Sequence, residues 1–243
     1  MILTDSFYVE KEFSRNASSY DKYSIIQEKV AEKLLSYIPS GAYSNILDLG
    51  AGSGMIYKKL YLIDTIKFDN FFAVDISSKM LSLHPVSQNI LKKQIDFKSI
   101  DYNFIAKHSI DLVISSSALQ WSSNLKSIFQ NLSKSKADIA FAIFTSNTFK
   151  TIQQIIKKPS PIYSIQEIIE ASALYSKNLT IEKKEFKLYF NSKLDMFRYI
   201  KKSGVSGGTK LLSYIELKQL IKDYPYNYLE FEVLFISSFC HPH

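Results

Sequence analysis

A cluster of small residues directly follows a short apolar run. Asn45–Leu49 is apolar around Asp48, and three of the chain's seven glycines lie among the next five residues, Gly50–Gly54. Without Cβ atoms, the backbone turns sharply and lets a ligand approach the main chain and the N-terminus of the helix that follows. The stretch predicts a strand, a tight turn and a ligand-binding helix start, although a loop turn without a ligand has the same bare pattern.

A second acid completes the arrangement. Asn70–Ile76 reads NFFAVDI and carries Asp75, 25 residues after Gly50. In a Rossmann-like unit, an acid at the tip of the second strand can accept hydrogen bonds from both ribose hydroxyls of a nucleoside. Ser77 then stands in capping position at the start of a helix. The glycine turn and the acid together predict nucleoside binding.

The remaining elements must hold these residues in place. Further strands are predicted at Ile95–Ile100, Ile110–Ser115 and Asp138–Phe144. Five apolar strands that alternate with helical segments indicate a parallel sheet covered on both faces. Ligands bind at the carboxyl ends of such strands. Four candidate residues would gather there: Asp48, Asp75, Asp101 and Ser115.

The two ends of the chain add helices and two strands. The spacing of apolar residues predicts helix over most of Phe7–Ile38, before a Pro-Ser-Gly stop. The C-terminal part predicts helices at Phe149–Lys158, Ser164–Ser176, Leu194–Ser203 and Ser213–Asp223, and strands at Thr180–Phe190 and Tyr228–Phe239. We therefore expect one domain over residues 1–243. It divides into an N-terminal helical cap (1–41), a cofactor-binding core (42–148), and the remaining strands with a helical lid (149–243).

Composition narrows the class. A hydrophobic share of 46% and a charged share of 22% are typical of a globular protein, and no apolar run reaches the roughly 18 residues of a membrane span. The start lacks a signal-peptide pattern and Cys240 is the single cysteine, so we expect a cytoplasmic protein. The net charge is +7, but the lysines are scattered, which argues against nucleic-acid binding.

The motifs resemble those of a known family. LDLGAGSG (47–54), AVDIS (73–77) and DLVISSSALQW (111–121) resemble the class I S-adenosylmethionine-dependent methyltransferases, in their order and spacing. That resemblance implies an α/β, Rossmann-like, mostly parallel seven-stranded sheet with helices on both faces and an antiparallel last strand. Residues 13–27, the ALQW and the block 197–236 are similar to BioC, the malonyl-acyl-carrier-protein O-methyltransferases of biotin synthesis. The chain departs from the pattern before strand five, where NLSKSKAD replaces the usual Lys-Pro-Gly-Gly turn, and at Ala51, where cysteine is common.

The resemblance implies roles for the site residues. Asp48 and the main chain of Gly50, Ala51 and Gly52 would face the methionine part of S-adenosyl-L-methionine. Asp75 would bind the ribose, and Ser115 would lie beside the cofactor. Four residues would surround the adenine: Ile76, Met80, Asp101 and Tyr102. Ordinary core packing is the alternative for Ile76 and Met80, and loop capping is the alternative for Asp101. No metal is expected.

The acceptor would be a carboxylate. Because a carboxylate is ionised near neutral pH, its methylation needs no general base, which agrees with four histidines in no evident catalytic arrangement. Arginine binds carboxylates bidentately, and only two of the 30 basic residues are arginines. We expect Arg198, on the lid, or Arg15 to bind the malonyl carboxylate; a surface ion pair is the alternative. Tyr20, Gln120 and Trp121 would form walls of the pocket, and Trp121 could equally be core.

The resemblance also implies a partner. An acidic acyl carrier protein bearing a malonyl thioester would meet lysines at the pocket mouth, for example Lys201, Lys202 and Lys210. We expect a monomer. Two alternatives stay open: a methyltransferase for another small acid, a quinone precursor or RNA, and a non-catalytic binding protein with a cofactor fold.

Overall fold

A seven-stranded sheet forms the centre of the computed structural model, which describes residues 6–135, 137–176, 178–202 and 213–239. The strands are β1 (Gly41–Leu49), β2 (Ile66–Asp75), β3 (Ile90–Gln94), β4 (Leu112–Ser116), β5 (Asp138–Phe144), β6 (Thr180–Tyr189) and β7 (Tyr228–Ser238). The α-helices are α1 (Ser6–Tyr23), α2 (Ile25–Leu35), α3 (Met55–Leu60), α4 (Ser78–Leu83), α5 (Tyr102–Lys107), α6 (Leu125–Leu132), α7 (Lys150–Ile156), α8 (Ile165–Ser172), α9 (Lys193–Lys202) and α10 (Tyr214–Asp223).

The strand order places the binding region. The strands lie in the order β3-β2-β1-β4-β5-β7-β6. The first five are parallel, and β7 runs antiparallel to both of its neighbours. Because the order reverses between β1 and β4, their carboxyl ends form the switch point at which doubly wound sheets bind ligands. The predicted α/β fold, with its seven strands and antiparallel last strand, is confirmed.

Both faces of the sheet are buried, which explains the apolar central strands. All seven residues of β5 are buried, and its alternate side chains enter two different clusters. One cluster includes Ala140 and Ala142 and lies with α2, whereas the other includes Ile139 and Phe141 and lies with α6. The two clusters sandwich the sheet and hold its carboxyl edge rigidly. Here the predicted and observed strand bounds coincide.

The third strand is the main correction to the sequence-based elements. The prediction places it at Ile95–Ile100, but β3 covers Ile90–Gln94 and pairs with β2 from Phe71↔Ile90 to Asp75↔Gln94. Phe97–Ser99 is a short 3-10 helix instead. The strand was missed because β3 lies at the sheet edge and reads ILKKQ, with little apolar pattern. Because the strand ends at Gln94, the acid that follows it is Asp96 and not Asp101.

Helices outside the sheet close over its carboxyl edge. Helix α1 contacts α4 on one side and α9 on the other. Helices α9 and α10 lie between β6 and β7 in the chain, as predicted for the helical lid, and they contact each other. Lys202 on α9 donates to the Tyr23 hydroxyl at the end of α1 (3.2 Å). Helix α1 therefore meets α9, one of the two helices between β6 and β7.

Membrane-spanning helices were sought over the described ranges. None of the helices there combines the length and the apolar character needed to cross a bilayer.

Candidate cofactor and acceptor site

The glycine loop connects β1 to α3 and is tied to the neighbouring strand. Gly50 and Ala51 both donate their N–H groups to the Val74 carbonyl, each over 2.9 Å. Gly50, Gly52 and Gly54 all have positive φ, at 77°, 54° and 85°. Side chains rarely adopt this conformation, so the loop needs glycine at these positions. The predicted strand, turn and helix are all observed.

Gly50 also lies against the loop after β4. A Cβ built on it would be 2.3 Å from the Cβ of Ala118, which belongs to the ALQW segment. We expect Gly50→Ala to destabilise the protein by about 2 kcal/mol or more, because strain at positive φ adds to the overlap. Urea unfolding measures the loss. Gly41→Ala, at a position without positive φ, is the control; equal stability of the two variants would contradict the expectation.

Asp48 is buried without a partner. It is 1% exposed, and neither of its carboxylate oxygens has a hydrogen bond within the described part of the chain. Burial, with a smaller contribution from the charge of Asp75, raises the pKa of Asp48 to about 8. A carboxyl group held in this way costs stability, and its two free oxygens are ready to accept hydrogen bonds from a cationic ligand.

Asp75 orders the turn that follows β2. Its two oxygens accept hydrogen bonds from the N–H groups of Ser77 (2.8 Å) and Gly52 (2.9 Å). Burial raises the pKa of Asp75 to about 6 against the opposing effect of these donors. Each oxygen keeps a second lone pair, so the carboxylate can still accept from two hydroxyls of a ligand.

Two clefts lie near Asp75 at the carboxyl edge of the sheet. We call the first the Asp48 cleft; its lining is Tyr20, Gln27, Asp48, Gly50, Ala51, Ser53, Met55, Ile56 and Ser116. We call the second the Asp96 cleft; its lining is Val9, Ile76, Asp96, Phe97, Trp121, Ser122 and Ser123. Asp75 is close to both clefts: it accepts a hydrogen bond from Gly52 of the glycine loop, and it directly precedes Ile76 of the Asp96 cleft.

Helix α1 covers both clefts. Val9 lines the Asp96 cleft and Tyr20 lines the Asp48 cleft, and these residues are about 16 Å apart at the helical rise. Between them, the hydroxyls of Ser14 and Ser77 share a hydrogen bond of 2.7 Å. Burial, and secondarily the charge of Asp75, raises the pKa of Tyr20, so its hydroxyl stays protonated. The N-terminal residues therefore form the roof of the site.

The segment after β4 forms the opposite wall. Gln120 and Trp121 are both buried; Trp121 lines the Asp96 cleft, and Gln120 is in the lining of neither cleft. The Gln120 amide donates to the Ser117 carbonyl (2.6 Å), while its own oxygen has no partner within the described residues. Ser115 differs from its prediction: its hydroxyl donates to the Leu49 carbonyl (2.7 Å) and so joins β4 to β1. The adjacent Ser116 lines the cleft instead.

The predicted adenine residues are only partly brought together. Ile76 lines the Asp96 cleft, whereas Met80 is buried beneath the glycine loop, with its Cε 3.4 Å from a Cβ built on Gly52. Asp101 is exposed and caps α5 by accepting from the Phe104 N–H (2.9 Å), which is the loop-capping alternative. The side chain of Tyr102 lies outside the described part.

The sequence-based prediction named Asp101 but missed Asp96, the acid that lines the cleft. Asp96 and Phe97 line the cleft two and three residues after the true end of β3. A correct position for that strand would have pointed to them, because strand-end acids were the signal used for Asp48 and Asp75. Gln27 and Ser116 were also missed, since neither belongs to a glycine turn or an acidic strand end.

Neither arginine reaches a cleft. The Arg15 side chain is 71% exposed and lies 3.7 Å from the Glu12 carboxylate. Arg198 is 62% exposed and pairs with Asp195 at 3.2 Å on the same helix. Both are ion pairs between residues one turn apart, which corresponds to the surface alternative. Among the described residues, no cluster of His, Cys, Asp or Glu could hold a metal ion.

The residues of the two clefts fit S-adenosylmethionine. The free oxygens of Asp48 suit the ammonium group of the methionine part, and the Asp75 carboxylate suits the two ribose hydroxyls. Ile76, Phe97 and Trp121 provide apolar surface for a flat base. A bound ammonium group would lower the pKa of Asp48 from its raised value and stabilise the ionised carboxylate.

Comparison with known proteins agrees with the site. A family model described as a methyltransferase domain matches residues 47–135. A malonyl-[acyl-carrier protein] O-methyltransferase of Ilyobacter polytropus is 26% identical, over 93% of this chain and 92% of its own length. One from Bacteroides thetaiotaomicron is also 26% identical, over 82% of this chain and 77% of its length.

Solved structures share the fold. A phosphoethanolamine N-methyltransferase of Haemonchus contortus, in complex with S-adenosylhomocysteine, aligns with 94% of this chain and 58% of its own, at a TM-score of 0.57 and 12% identity. The YcgJ protein of Bacillus subtilis aligns with 87% of this chain and 98% of its own, at a TM-score of 0.56 and 12% identity.

The fold, the glycine loop and the matched domain define a class I S-adenosylmethionine-dependent methyltransferase. The chain is an enzyme of this class, and S-adenosylmethionine is its cofactor. Within the class, it resembles the malonyl-[acyl-carrier protein] O-methyltransferases in sequence over most of its length. The predicted class and cofactor are therefore confirmed.

Proposed function

We propose that the enzyme methylates the free carboxylate of malonyl-acyl-carrier protein. The observation that carries this proposal is the lining of the two clefts, which among the described residues contains no histidine and no lysine. Its two carboxylates, Asp48 and Asp96, lie where we assign the ammonium group and the adenine of the cofactor, so neither is left to act as a base on the acceptor. A hydroxyl or amine acceptor would need a group to remove its proton, whereas a carboxylate is ionised near neutral pH. The names of the curated relatives support the same acceptor.

The cofactor supplies the methyl group, and the protein positions the acceptor. When bound, S-adenosylmethionine supplies a sulfonium methyl group, which a nucleophile takes as the carbon–sulfur bond breaks and sulfur keeps the electron pair. The protein aligns the acceptor with this methyl group and excludes water from it. In this proposal, Tyr20 on the roof and the Gln120 segment on the wall align the acceptor. Because its pKa is raised, Tyr20 can donate a hydrogen bond to a carboxylate but does not act as a base.

His84 and His108 lie away from the proposed chemistry. His84 is buried beside the glycine loop, where burial lowers its pKa to about 4, so it is neutral near neutral pH. His108 packs between the rings of Phe72 and Phe104, and its pKa is also lowered by burial. His241 and His243 lie outside the described residues.

The acyl carrier protein would approach the basic exterior. Such carriers are acidic, and this chain has a net charge of +7. Lys202 stands where the lid meets α1, while Lys210 and the side chain of Lys201 lie outside the described part. We propose that lysines around the cap and lid attract the carrier, so that its affinity falls as the salt concentration rises.

The test is methyl transfer to a defined acceptor. Wild-type enzyme is incubated with S-adenosylmethionine and malonyl-acyl-carrier protein, and mass spectrometry looks for the gain of one CH2 unit on the malonyl group. Acetyl-acyl-carrier protein, which has no free carboxylate, is the matched control. Malonyl-coenzyme A and free malonate, tested as further acceptors, show whether the enzyme needs the carrier protein or only the carboxylate. Methylation of acetyl-carrier protein, or of none of these acceptors, would overturn the proposal.

The arginines are expected to contribute little. Neither Arg15 nor Arg198 lines a cleft, and each forms an exposed ion pair with a residue one turn away on its own helix. We expect Arg15→Lys and Arg198→Lys each to keep kcat/KM for malonyl-carrier protein within about threefold of wild type. Steady-state kinetics measure this. A loss of about 100-fold in either variant would return that arginine to the acceptor site.

A further inference from the structure

Gln27 is a polar residue on an otherwise apolar helix face. It lies on α2 one turn before Val30 and Ala31 and two turns before Leu34, and all three are fully buried. Gln27 itself is 6% exposed, and its Oε1 atom has no hydrogen-bond partner within the described residues. A buried acceptor without a donor is unfavourable, so its presence here indicates that a ligand supplies the donor.

The surroundings of Gln27 indicate which donor that is. Gln27 lines the Asp48 cleft together with Asp48, whose two oxygens are also buried and without partners among the described residues. Once Asp48 is ionised, three of these unpartnered oxygens can only accept: the two of Asp48 and Oε1 of Gln27. The hydroxyl of Ser116 lines the same cleft, is also unpartnered among the described residues, and can either donate or accept. A primary ammonium group has three N–H donors and no acceptor, so it matches the three accepting oxygens in number and in charge. The methionine part of the cofactor carries such a group.

We propose that Gln27 is a cofactor-positioning residue whose Oε1 atom accepts a hydrogen bond from the α-ammonium group of S-adenosylmethionine. Together with Asp48, it forms a three-oxygen ammonium site that orients the methionine part. Gln27 lies outside residues 47–135, which match the methyltransferase domain, so that domain does not assign it a role. The inference concerns the cofactor alone and holds whatever the acceptor is.

Binding of cofactor fragments tests the proposal directly. Calorimetry compares S-adenosylhomocysteine, which keeps the ammonium group, with 5′-methylthioadenosine, which lacks the amino-acid part. We expect Gln27→Met to weaken S-adenosylhomocysteine binding by about tenfold or more, while methylthioadenosine binding changes by less than about twofold. Gln27→Glu should keep S-adenosylhomocysteine affinity within about threefold of wild type, because a carboxylate oxygen accepts the same hydrogen bond.

Three outcomes would overturn the proposal. Equal weakening of both ligands by Gln27→Met would show that Gln27 supports the fold of the cleft instead. If Gln27→Met left the affinities for S-adenosylhomocysteine and methylthioadenosine unchanged, Gln27 would contact neither ligand. If Gln27→Glu bound S-adenosylhomocysteine more weakly than Gln27→Met does, the Gln27 amide would instead donate to the carboxylate of the methionine part. Gln130→Met, at an exposed position of α6, is the matched control, and thermal unfolding confirms that each variant is folded.

Discussion

Asp48→Asn is expected to weaken cofactor binding by at least about 100-fold and, at the same time, to stabilise the cofactor-free protein. The carboxylate is buried, and its pKa is raised to about 8, so near neutral pH the folded protein holds a proton that the unfolded chain has released. The free energy of unfolding contributed by this group therefore falls as pH rises from about 4 to about 8. Asparagine removes the titration but also removes the negative charge that a bound ammonium needs.

The gain in stability has a distinctive dependence on pH. At about pH 7 we expect Asp48→Asn to raise the free energy of unfolding by about 1–4 kcal/mol, and the gain should shrink towards zero near pH 4. Urea unfolding across this range measures it, and calorimetry with S-adenosylhomocysteine should show a loss of at least about 100-fold. Asp64→Asn, at an exposed position, is the control. A variant that is less stable than wild type at neutral pH would contradict the account.

Cofactor affinity is expected to rise steeply with pH. To receive an ammonium group, Asp48 must be ionised, yet in the free protein it holds a proton up to about pH 8. Binding below that pH therefore releases the proton, and affinity for S-adenosylhomocysteine should fall about tenfold for each pH unit between about 8 and 6. Below pH 6, Asp75 begins to take up a proton as well, since its pKa is about 6, and the slope should increase.

Calorimetry in buffers with different ionisation enthalpies measures the released proton directly. Methylthioadenosine, which has no ammonium group, should show little pH dependence between 6 and 8, and so should the residual binding of Asp48→Asn. An affinity for S-adenosylhomocysteine that stays constant over this range would show that Asp48 is already ionised in the free enzyme. It would also remove the basis for the predicted stabilisation.

The parts of the fold that were predictable depend on local chemistry. Positive φ strongly favours glycine, and three such glycines lie within five residues, so the loop at Gly50–Gly54 could be recognised directly. The strand end at Asp75 follows from an apolar run, and β5 is buried on both faces and reads as continuous apolar sequence. In contrast, β3 is an edge strand with lysines at two of its five positions, so its pattern was hidden. Because the strand was predicted too late in the chain, Asp101 was named as the strand-end acid instead of Asp96.

The parts that were not predictable depend on tertiary placement. Gln27 has nothing unusual in its local sequence; only the packing of α2 against β4 and β5 brings its side chain to the Asp48 cleft. The arginines illustrate the opposite case. Their rarity in a lysine-rich chain favoured a specific role, but Arg198 lies on an exposed face of α9, whereas its neighbour Tyr199 is buried against Phe190 and Tyr23.

Helix α1 has a consequence for turnover. Since it reaches from Val9 at one cleft to Tyr20 at the other, we expect the helix to hinder the exchange of spent cofactor while it stays in place. Among the described residues, α1 is hydrogen-bonded to the site through Ser14, which binds Ser77, and through Asp21, which accepts from Ser53 and Lys58. Each such bond contributes only about 1 kcal/mol, so the set can break in each cycle. We therefore expect departure of the demethylated nucleoside, rather than chemistry, to limit the steady-state rate, with a pre-steady-state burst of methyl ester as its kinetic signature.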